Sequence, residues 1–305
     1  MNKPILISIV GPTGIGKTSL SVKLANHFNT EILSADSRQF YKEMTIGTAK
    51  PSQAELSQAE HYVIGNKSIQ EEFTVGDYEK EALDLVNHLF KKHNTIILVG
   101  GSGLFIDALT VGLNEFPDIP ESVKNTIQNI YESEGLEALQ NKLKKEDPEY
   151  YEEVDLKNPV RLMRALTVTS HTGNTFSYYR KKKLPPRPFK SHYFALEWDR
   201  EVLYNRINQR VDDMIRQGLK VEVRNLYPYK HLVAMQTVGY QELFEAMDNK
   251  ITEAEAIELI KRNSRRYAKR QMTWLRRESK YKLLPTQGTQ IIENASNEIL
   301  KLIFQ

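Results

Sequence analysis

The chain has 305 residues, 40% of them apolar and 27% charged, with a formal net charge of +3 and no cysteine. That length suits one large domain or two ordinary ones, and that composition suits a globular protein with a core. The lack of cysteine excludes disulfides and thiolate zinc sites and fits a reducing, cytoplasmic setting. Ile5-Leu6-Ile7-Ser8-Ile9-Val10 is apolar and β-branched, the pattern of a buried strand. It runs into Gly11-Pro12-Thr13-Gly14-Ile15-Gly16-Lys17-Thr18, which fits the phosphate-loop pattern G-x-x-x-x-G-K-[ST]. Leu20, Val22, Leu24, Ala25 and Phe28 then predict a helix, so the motif has the strand–turn–helix context it needs. Backbone N–H groups of such a loop curl round an anion, and the helix N-terminus adds partial positive charge. Lys17 would reach the outer phosphate and the Thr18 hydroxyl a magnesium ion. An ordinary glycine turn is the alternative.

A second strand is predicted over Thr30–Ala35, ending on Asp36-Ser37-Arg38-Gln39, and a weaker third around Tyr62-Val63-Ile64. A helix starts at Thr74 as N-cap and continues through Tyr78, Ala82, Leu85, Val86 and Leu89. Thr95–Val99 is a strand followed by Gly100-Gly101-Ser102-Gly103. This alternation argues for a parallel sheet flanked by helices, with ligands at the carboxyl ends of its strands. The phosphate loop, Asp36 and Ser102 all fall at such ends. Asp36 suits a base or an indirect magnesium ligand, with a turn aspartate as the plain alternative. The strand Thr95–Val99 ends without the acidic residue that holds magnesium in a typical P-loop ATPase, which argues against ATP hydrolysis.

The middle differs. Pro117 and Pro120 open it, and Pro185, Pro186 and Pro188 close it. Val123, Ile127 and Ile130, Leu136, Leu139 and Leu143, and Val160 to Leu166 have helix spacing without strand alternation. Residues 116–189 therefore read as an all-helical insertion, hinged or rigidly packed, in a core of 1–115 and 190–305. Arg161 and Arg164 share one face of its last helix, and Asn158-Pro159 is a helix start. His192–Glu197 returns to strand character. Asp199 to Arg216 predicts a helix with Val202, Leu203, Ile207, Val211 and Ile215 inward and Arg206 and Arg210 one turn apart. A last long helix runs from near Thr252 to about Ser279. It carries Lys261, Arg262, Arg265, Arg266, Lys269, Arg270, Arg276 and Arg277 around much of its circumference, interrupted by Tyr267 and Trp274. Glu278 is the one acidic residue between Lys261 and Lys280, an imbalance that suits a phosphodiester backbone. The N-terminal apolar run is too short for a signal peptide, and no stretch is apolar enough to span a membrane.

These pieces, in this order and spacing, resemble the tRNA dimethylallyltransferase (tRNA isopentenyltransferase) family along nearly the whole chain. The resemblance is carried by Gly11–Thr18, Ser34–Gln39, Ile46-Gly47-Thr48-Ala49-Lys50-Pro51, Gly100–Leu104, Asn158–Arg161, Arg164–Leu166, Val238-Gly239-Tyr240 and Ala268–Arg276. Ser102 and Phe105 depart from the family's Gly-Gly-Thr-Gly-Leu-Tyr. Ser102 keeps the hydroxyl and Phe105 loses one.

The resemblance implies a P-loop NTPase-like α/β core that transfers a dimethylallyl group from dimethylallyl diphosphate to N6 of adenine 37 in tRNA. In that reading Gly11 to Thr18 hold diphosphate with Mg²⁺ on Thr18, Asp36 is the general base, and Arg210 assists the leaving group. It also assigns tRNA contacts to Asp36, Ser37, Arg38, Gln39, Ser102, Lys124, Arg161, Arg164, Gln236, Gly239 and Tyr240. The insertion becomes a mobile domain gripping the anticodon stem, and the expected enzyme is a cytoplasmic monomer. An adenylate isopentenyltransferase, a P-loop small-molecule kinase and a non-catalytic RNA-binding protein are the rival readings. The basic helix and the insertion speak against the first, and the missing aspartate against the second.

Overall fold

The computed structural model describes residues 3–285 and 291–304. They divide into two compact units, Gly112–Pro186 and the remainder on either side of it. Every strand lies in the larger unit. In chain order its first part runs β1 (Ile5–Val10), α1 (Lys17–Phe28), β2 (Ile32–Ser34), the one-turn α2 (Gln53–Leu56), β3 (His61–Tyr62), α3 (Val75–Leu89), β4 (Thr95–Gly100) and α4 (Gly103–Thr110). The smaller unit holds α5 (Glu121–Glu146), α6 (Pro148–Glu153), α7 (Pro159–Thr172) and α8 (Phe176–Arg180). The larger unit resumes with β5 (Lys190–Glu197), α9 (Arg200–Arg216), α10 (Leu219–Leu226), α11 (Gln241–Met247), α12 (Glu253–Arg277), β6 (Lys282–Pro285) and α13 (Ile291–Ile303).

The six strands form one parallel sheet in the order β3-β2-β4-β1-β5-β6. A parallel sheet must be covered on both faces, so its central strands are nearly continuous apolar runs, with Ser8 of β1 a buried exception. Leu6, Ile7 and Ile9 of β1 and Ile96, Ile97 and Leu98 of β4 are fully buried. Leu20 and Leu24 of α1 and Ile299 of α13 join the same apolar cluster. A second cluster gathers α9, α10, α11 and α12 around Met235, Tyr240, Phe244 and Ile260. Because β1 is flanked by β4 and β5, the loop after it opens at the middle of the carboxyl edge. Asp36 follows β2 at that same edge.

One expectation needs correction. Val202 is not inward: it is 49% exposed, because Leu203, Ile207 and Val211, at spacing four, form the buried face of α9. The helices α2, α4, α10, α11 and α13 and the strand β6 have no counterpart among the predicted elements. Residues 282–285 are too short to alternate and end in proline, tolerable because they form an edge strand beside β5. For α13 a signal is present: Ile292, Ala295, Ile299 and Leu302 keep helix spacing.

The smaller unit has its own core of Ile127, Leu139, Leu143, Leu162, Ala165 and Leu166. Its α5 bends at Gly135, which takes φ 80° where no other residue would be comfortable. Asn158 caps α7 through the Arg161 N–H at 3.3 Å, as the sequence signal predicts. The fully buried carboxylate of Asp147 accepts from the Tyr150 N–H, the Ser177 N–H and the Ser177 hydroxyl at 3.1, 2.8 and 2.7 Å. Arg161 and Arg164 both face solvent. Lys124 is exposed and pairs with Glu121 at 3.0 Å. Among the described residues no helix is long and apolar enough to cross a membrane.

Candidate active site

The glycine loop after β1 bends because Gly14 and Gly16 take φ of 80° and 99°, the left-handed region closed to most side chains. The turn brings Lys17 back over the loop, where its Nζ donates to the Gly11 and Pro12 carbonyls at 3.0 and 2.9 Å. Thr13 to Thr18 line a cleft of about 1280 Å³. Gly11 and Pro12 are buried beneath it and serve Lys17. Burial pushes the Lys17 ammonium down to about 8, with Asp36 pulling it up and Arg210 pushing it further down. Arg210 is itself lowered by burial, against the pull of Asp36 and with the push of Arg206. Two cations and one carboxylate therefore act on one another across the cleft. Arg206 reaches the loop, its Nε donating to the Gly14 carbonyl at 3.2 Å while its guanidinium lies 4.3 Å over the Trp198 ring.

Asp36 lines the cleft, with one carboxylate oxygen accepting the Arg38 N–H at 3.1 Å, as in an Asx turn. The turn and the Gly-Gly-Ser-Gly loop meet directly. The Ser102 hydroxyl accepts the Ser37 N–H at 3.4 Å and lies 3.3 Å from the Ser37 hydroxyl. Close approach needs Gly100 bare, since a Cβ there would sit 2.3 Å from the Ala35 carbonyl oxygen. Beneath, Phe105 packs its ring against Phe40 and Tyr78 at 5.4 and 5.1 Å, so an apolar edge serves at this position.

Residues 236–239 form another wall of the cleft. The Arg38 guanidinium donates to the Ala234 and Gln236 carbonyls, each at 3.4 Å. Gln236 and Gly239 line the cleft, but Tyr240 does not. Its side chain is fully buried, with the ring against Gly47 and the hydroxyl donating to Glu222 at 2.6 Å. The expected contact from the Tyr240 side chain is thus replaced by a supporting role. Gln39 also lines the cleft, and its carboxamide donates to the Thr48 and Ala49 carbonyls at 3.2 and 3.1 Å.

Several residues here carry no recognisable sequence signal. Glu222, on α10, accepts the N–H groups of Thr45, Ile46 and Gly47 at 3.1, 2.7 and 3.0 Å and fixes the loop leading to Lys50. Glu242 accepts from the Gly239 N–H and from Asn263 of α12, both at 2.7 Å. Tyr267 of α12 lines the cleft, its phenol pushed up by desolvation and by the Asp36 charge.

The basic helix is more ordered than its sequence suggests. Lys261 pairs with Asp212 and Glu258 at 2.8 and 3.1 Å, Arg265 hydrogen-bonds Asn208, and Arg276 pairs with Glu197. Arg262, Arg266, Lys269, Arg270, Arg276 and Arg277 are the exposed members. At about 100° per residue they span an arc of about 120°, so the solvent-facing cations form a stripe rather than a ring. Among the described residues no group of three or more His, Cys, Asp or Glu side chains could hold a metal. A hydroxyl at Thr18 with Asp36 in the same cleft can hold only an ion that takes its remaining ligands from phosphate oxygens and water, the habit of Mg²⁺.

The family described as IPP transferase matches residues 39–278. The tRNA dimethylallyltransferase of Christiangramia forsetii is 51% identical over 91% of this chain and 92% of its own. That of Bacteroides thetaiotaomicron is 43% identical over 95% and 94%. Among solved structures, a tRNA isopentenylpyrophosphate transferase from Bacillus halodurans superposes with a TM-score of 0.72 at 34% identity, covering 99% of this chain and 100% of that one. A eukaryotic dimethylallyltransferase acting on tRNA reaches a TM-score of 0.82 at 27% identity, covering 97% and 78%. Similarity of this extent along nine-tenths of the sequence places this chain in the tRNA dimethylallyltransferase family.

Proposed function

We propose that the protein transfers the dimethylallyl group of dimethylallyl diphosphate to N6 of adenine 37 in tRNA, releasing diphosphate. The observation that carries this reading is the single cleft shared by the Lys17 loop, Asp36, Arg210 and the Tyr267 face of the basic helix. The exocyclic amine of adenine is a weak nucleophile because its lone pair is delocalised into the ring. It becomes acidic only as the new C–N bond forms and the C–O bond to diphosphate breaks. A carboxylate then suffices to accept the proton, and Asp36 takes that role. Charge growing on the departing diphosphate is met by the loop N–H groups, Lys17 and Arg210. Mg²⁺, held by Thr18 and the diphosphate itself, would add further charge neutralisation there.

An adenine stacked in an anticodon loop cannot reach a cleft carboxylate, so the base is flipped, at a cost of roughly a few kcal/mol. Contacts to the loop backbone offset that cost. Ser37, Arg38, Gln39, Ser102, Gln236 and Gly239 are the candidates in the larger unit, and Lys124, Arg161 and Arg164 in the smaller. Incubation with dimethylallyl diphosphate, Mg²⁺ and either unmodified tRNA or AMP tests the assignment. The expected product is one prenylated adenine beside the anticodon, located by nuclease digestion and mass spectrometry. A product with AMP alone would overturn the acceptor assignment. Asp36→Asn is expected to lower transfer by about 10²–10⁴-fold while tRNA affinity stays within a few-fold. An active Asp36→Asn enzyme would remove Asp36 as the base.

A further inference from the structure

Gln271 of the basic helix reaches both halves of the site. It is 8% exposed, on the face of α12 opposite the cationic stripe. Its Oε1 accepts the Thr13 N–H of the phosphate loop at 3.2 Å, and its Nε2 donates to the Gly101 carbonyl at 2.8 Å. The two partners fix which end of the carboxamide is which, because one is an obligate donor and the other an acceptor. No other side chain of this length offers an acceptor and a donor held in one plane. The neighbouring backbone is shaped to it: a Cβ on Gly101 would lie 2.4 Å from the Gln271 Nε2 and 3.4 Å from the Gly11 carbonyl oxygen.

The contacts continue toward the proposed base. Gly101 is followed by Ser102, whose hydroxyl holds the Ser37 N–H beside Asp36. Gln271, Gly101–Ser102 and Ser37–Asp36 thus form a chain of direct bonds from the donor loop to the carboxylate. The Thr13 N–H is turned toward Gln271 and is not offered to an anion, which leaves the N–H groups from Gly14 onward as the cradle.

We propose that Gln271 is a positioning residue that sets the register of the bound diphosphate relative to Asp36, by tying the Thr13 backbone to the Gly101–Ser102 turn. This rests on the reading of the loop as the donor's diphosphate site. It gives α12 two separate duties: the exposed cations face the acceptor, and the buried carboxamide sets the donor.

The test uses the full-length protein and two substitutions that act on the same bridge from opposite sides. Gln271→Met keeps the length and removes both hydrogen bonds, and Gly101→Ala pushes the carboxamide aside while residue 271 remains glutamine. Binding of inorganic diphosphate with Mg²⁺ is measured by calorimetry, tRNA binding by filter retention, and transfer by steady-state kinetics. Each variant is expected to weaken diphosphate binding about tenfold, the size expected for losing one to two net hydrogen bonds, and to lower kcat at saturating donor. Affinity for tRNA should stay within about twofold and the melting temperature within a few degrees, since the exposed stripe is untouched. Parallel losses of tRNA affinity and melting temperature would instead make Gln271 a packing residue and overturn the proposal. Equal diphosphate affinity in the wild type and both variants would also overturn it while leaving the donor site standing. A wild-type protein that binds no diphosphate would overturn the donor reading itself, and the inference with it.

Discussion

Lys17 should make diphosphate binding fall with pH well before the fold is affected. Its ammonium is pushed from 10.5 to about 8, chiefly by burial. The folded protein therefore holds fewer protons than the unfolded chain between pH 8 and 10.5. The penalty on folding is fully present below about pH 8, and this group's contribution makes stability rise as pH climbs through that window. A shift of that size corresponds to roughly 3 kcal/mol as an upper bound. Bound diphosphate places negative charge at Nζ and favours the protonated form. At pH 7 about nine-tenths of Lys17 is charged in the free protein, and at pH 9 about one-tenth, so affinity should fall about tenfold between those values. Calorimetric titration of inorganic diphosphate at constant Mg²⁺ from pH 6.5 to 10 reads this, and proton uptake above pH 8 should show in buffers of different ionisation enthalpy. Diphosphate has titrations of its own, so Lys17→Arg is the control, because its cation does not titrate in this range. The inflection near pH 8 should belong to the wild type alone. Superimposable profiles for wild type and Lys17→Arg would refute the reasoning.

Other consequences follow from the supporting shell. Tyr240→Phe leaves Glu222 with three of its four donors and should destabilise by about 1–2 kcal/mol in thermal unfolding, with tRNA affinity unchanged. Gly47→Ala should cost about 1–3 kcal/mol by the same measurement, because its Cβ would lie 2.5 Å from the rigid Tyr240 ring. In the helical unit, Asp147→Ala strands the buried Ser177 and Tyr150 donors, and a loss of about 3 kcal/mol is expected in denaturant unfolding. Neutralising Arg262, Arg266 and Arg277 together should reduce the slope of log affinity against log salt for tRNA by about 2, at roughly 0.7 for each phosphate that loses its cation. An unchanged slope would mean that the exposed stripe does not face the nucleic acid.

The legible parts of this protein are those written in contiguous residues. The phosphate loop can be read because its glycines, Lys17 and Thr18 must follow one another to build a turn at a helix start. The buried strands β1 and β4 can be read because a strand covered on both faces is an almost unbroken apolar run. Thr74 and Asn158 announce their helices because a cap bonds to backbone only three residues on. What stays hidden depends on partners far away in the chain. Gln271 meets Thr13 across 258 positions, and Glu222 meets Ile46 across 176. Nothing in the neighbourhood of either residue announces the partner. The same limit applies to charge. The density of the basic helix is plain in its sequence, but its exposed stripe emerges only when Asp212 and Asn208 from another element take up Lys261 and Arg265. Tyr240 shows the reverse, a motif residue whose side chain proves to be a fully buried support. The sequence by itself determined the local chemistry of the donor loop, because backbone geometry and hydrogen bonding there act over a few residues. Only the tertiary structure decided which side chains face the cleft and which hold its walls, because burial and long-range pairing exist once the sheet has brought its strand ends together.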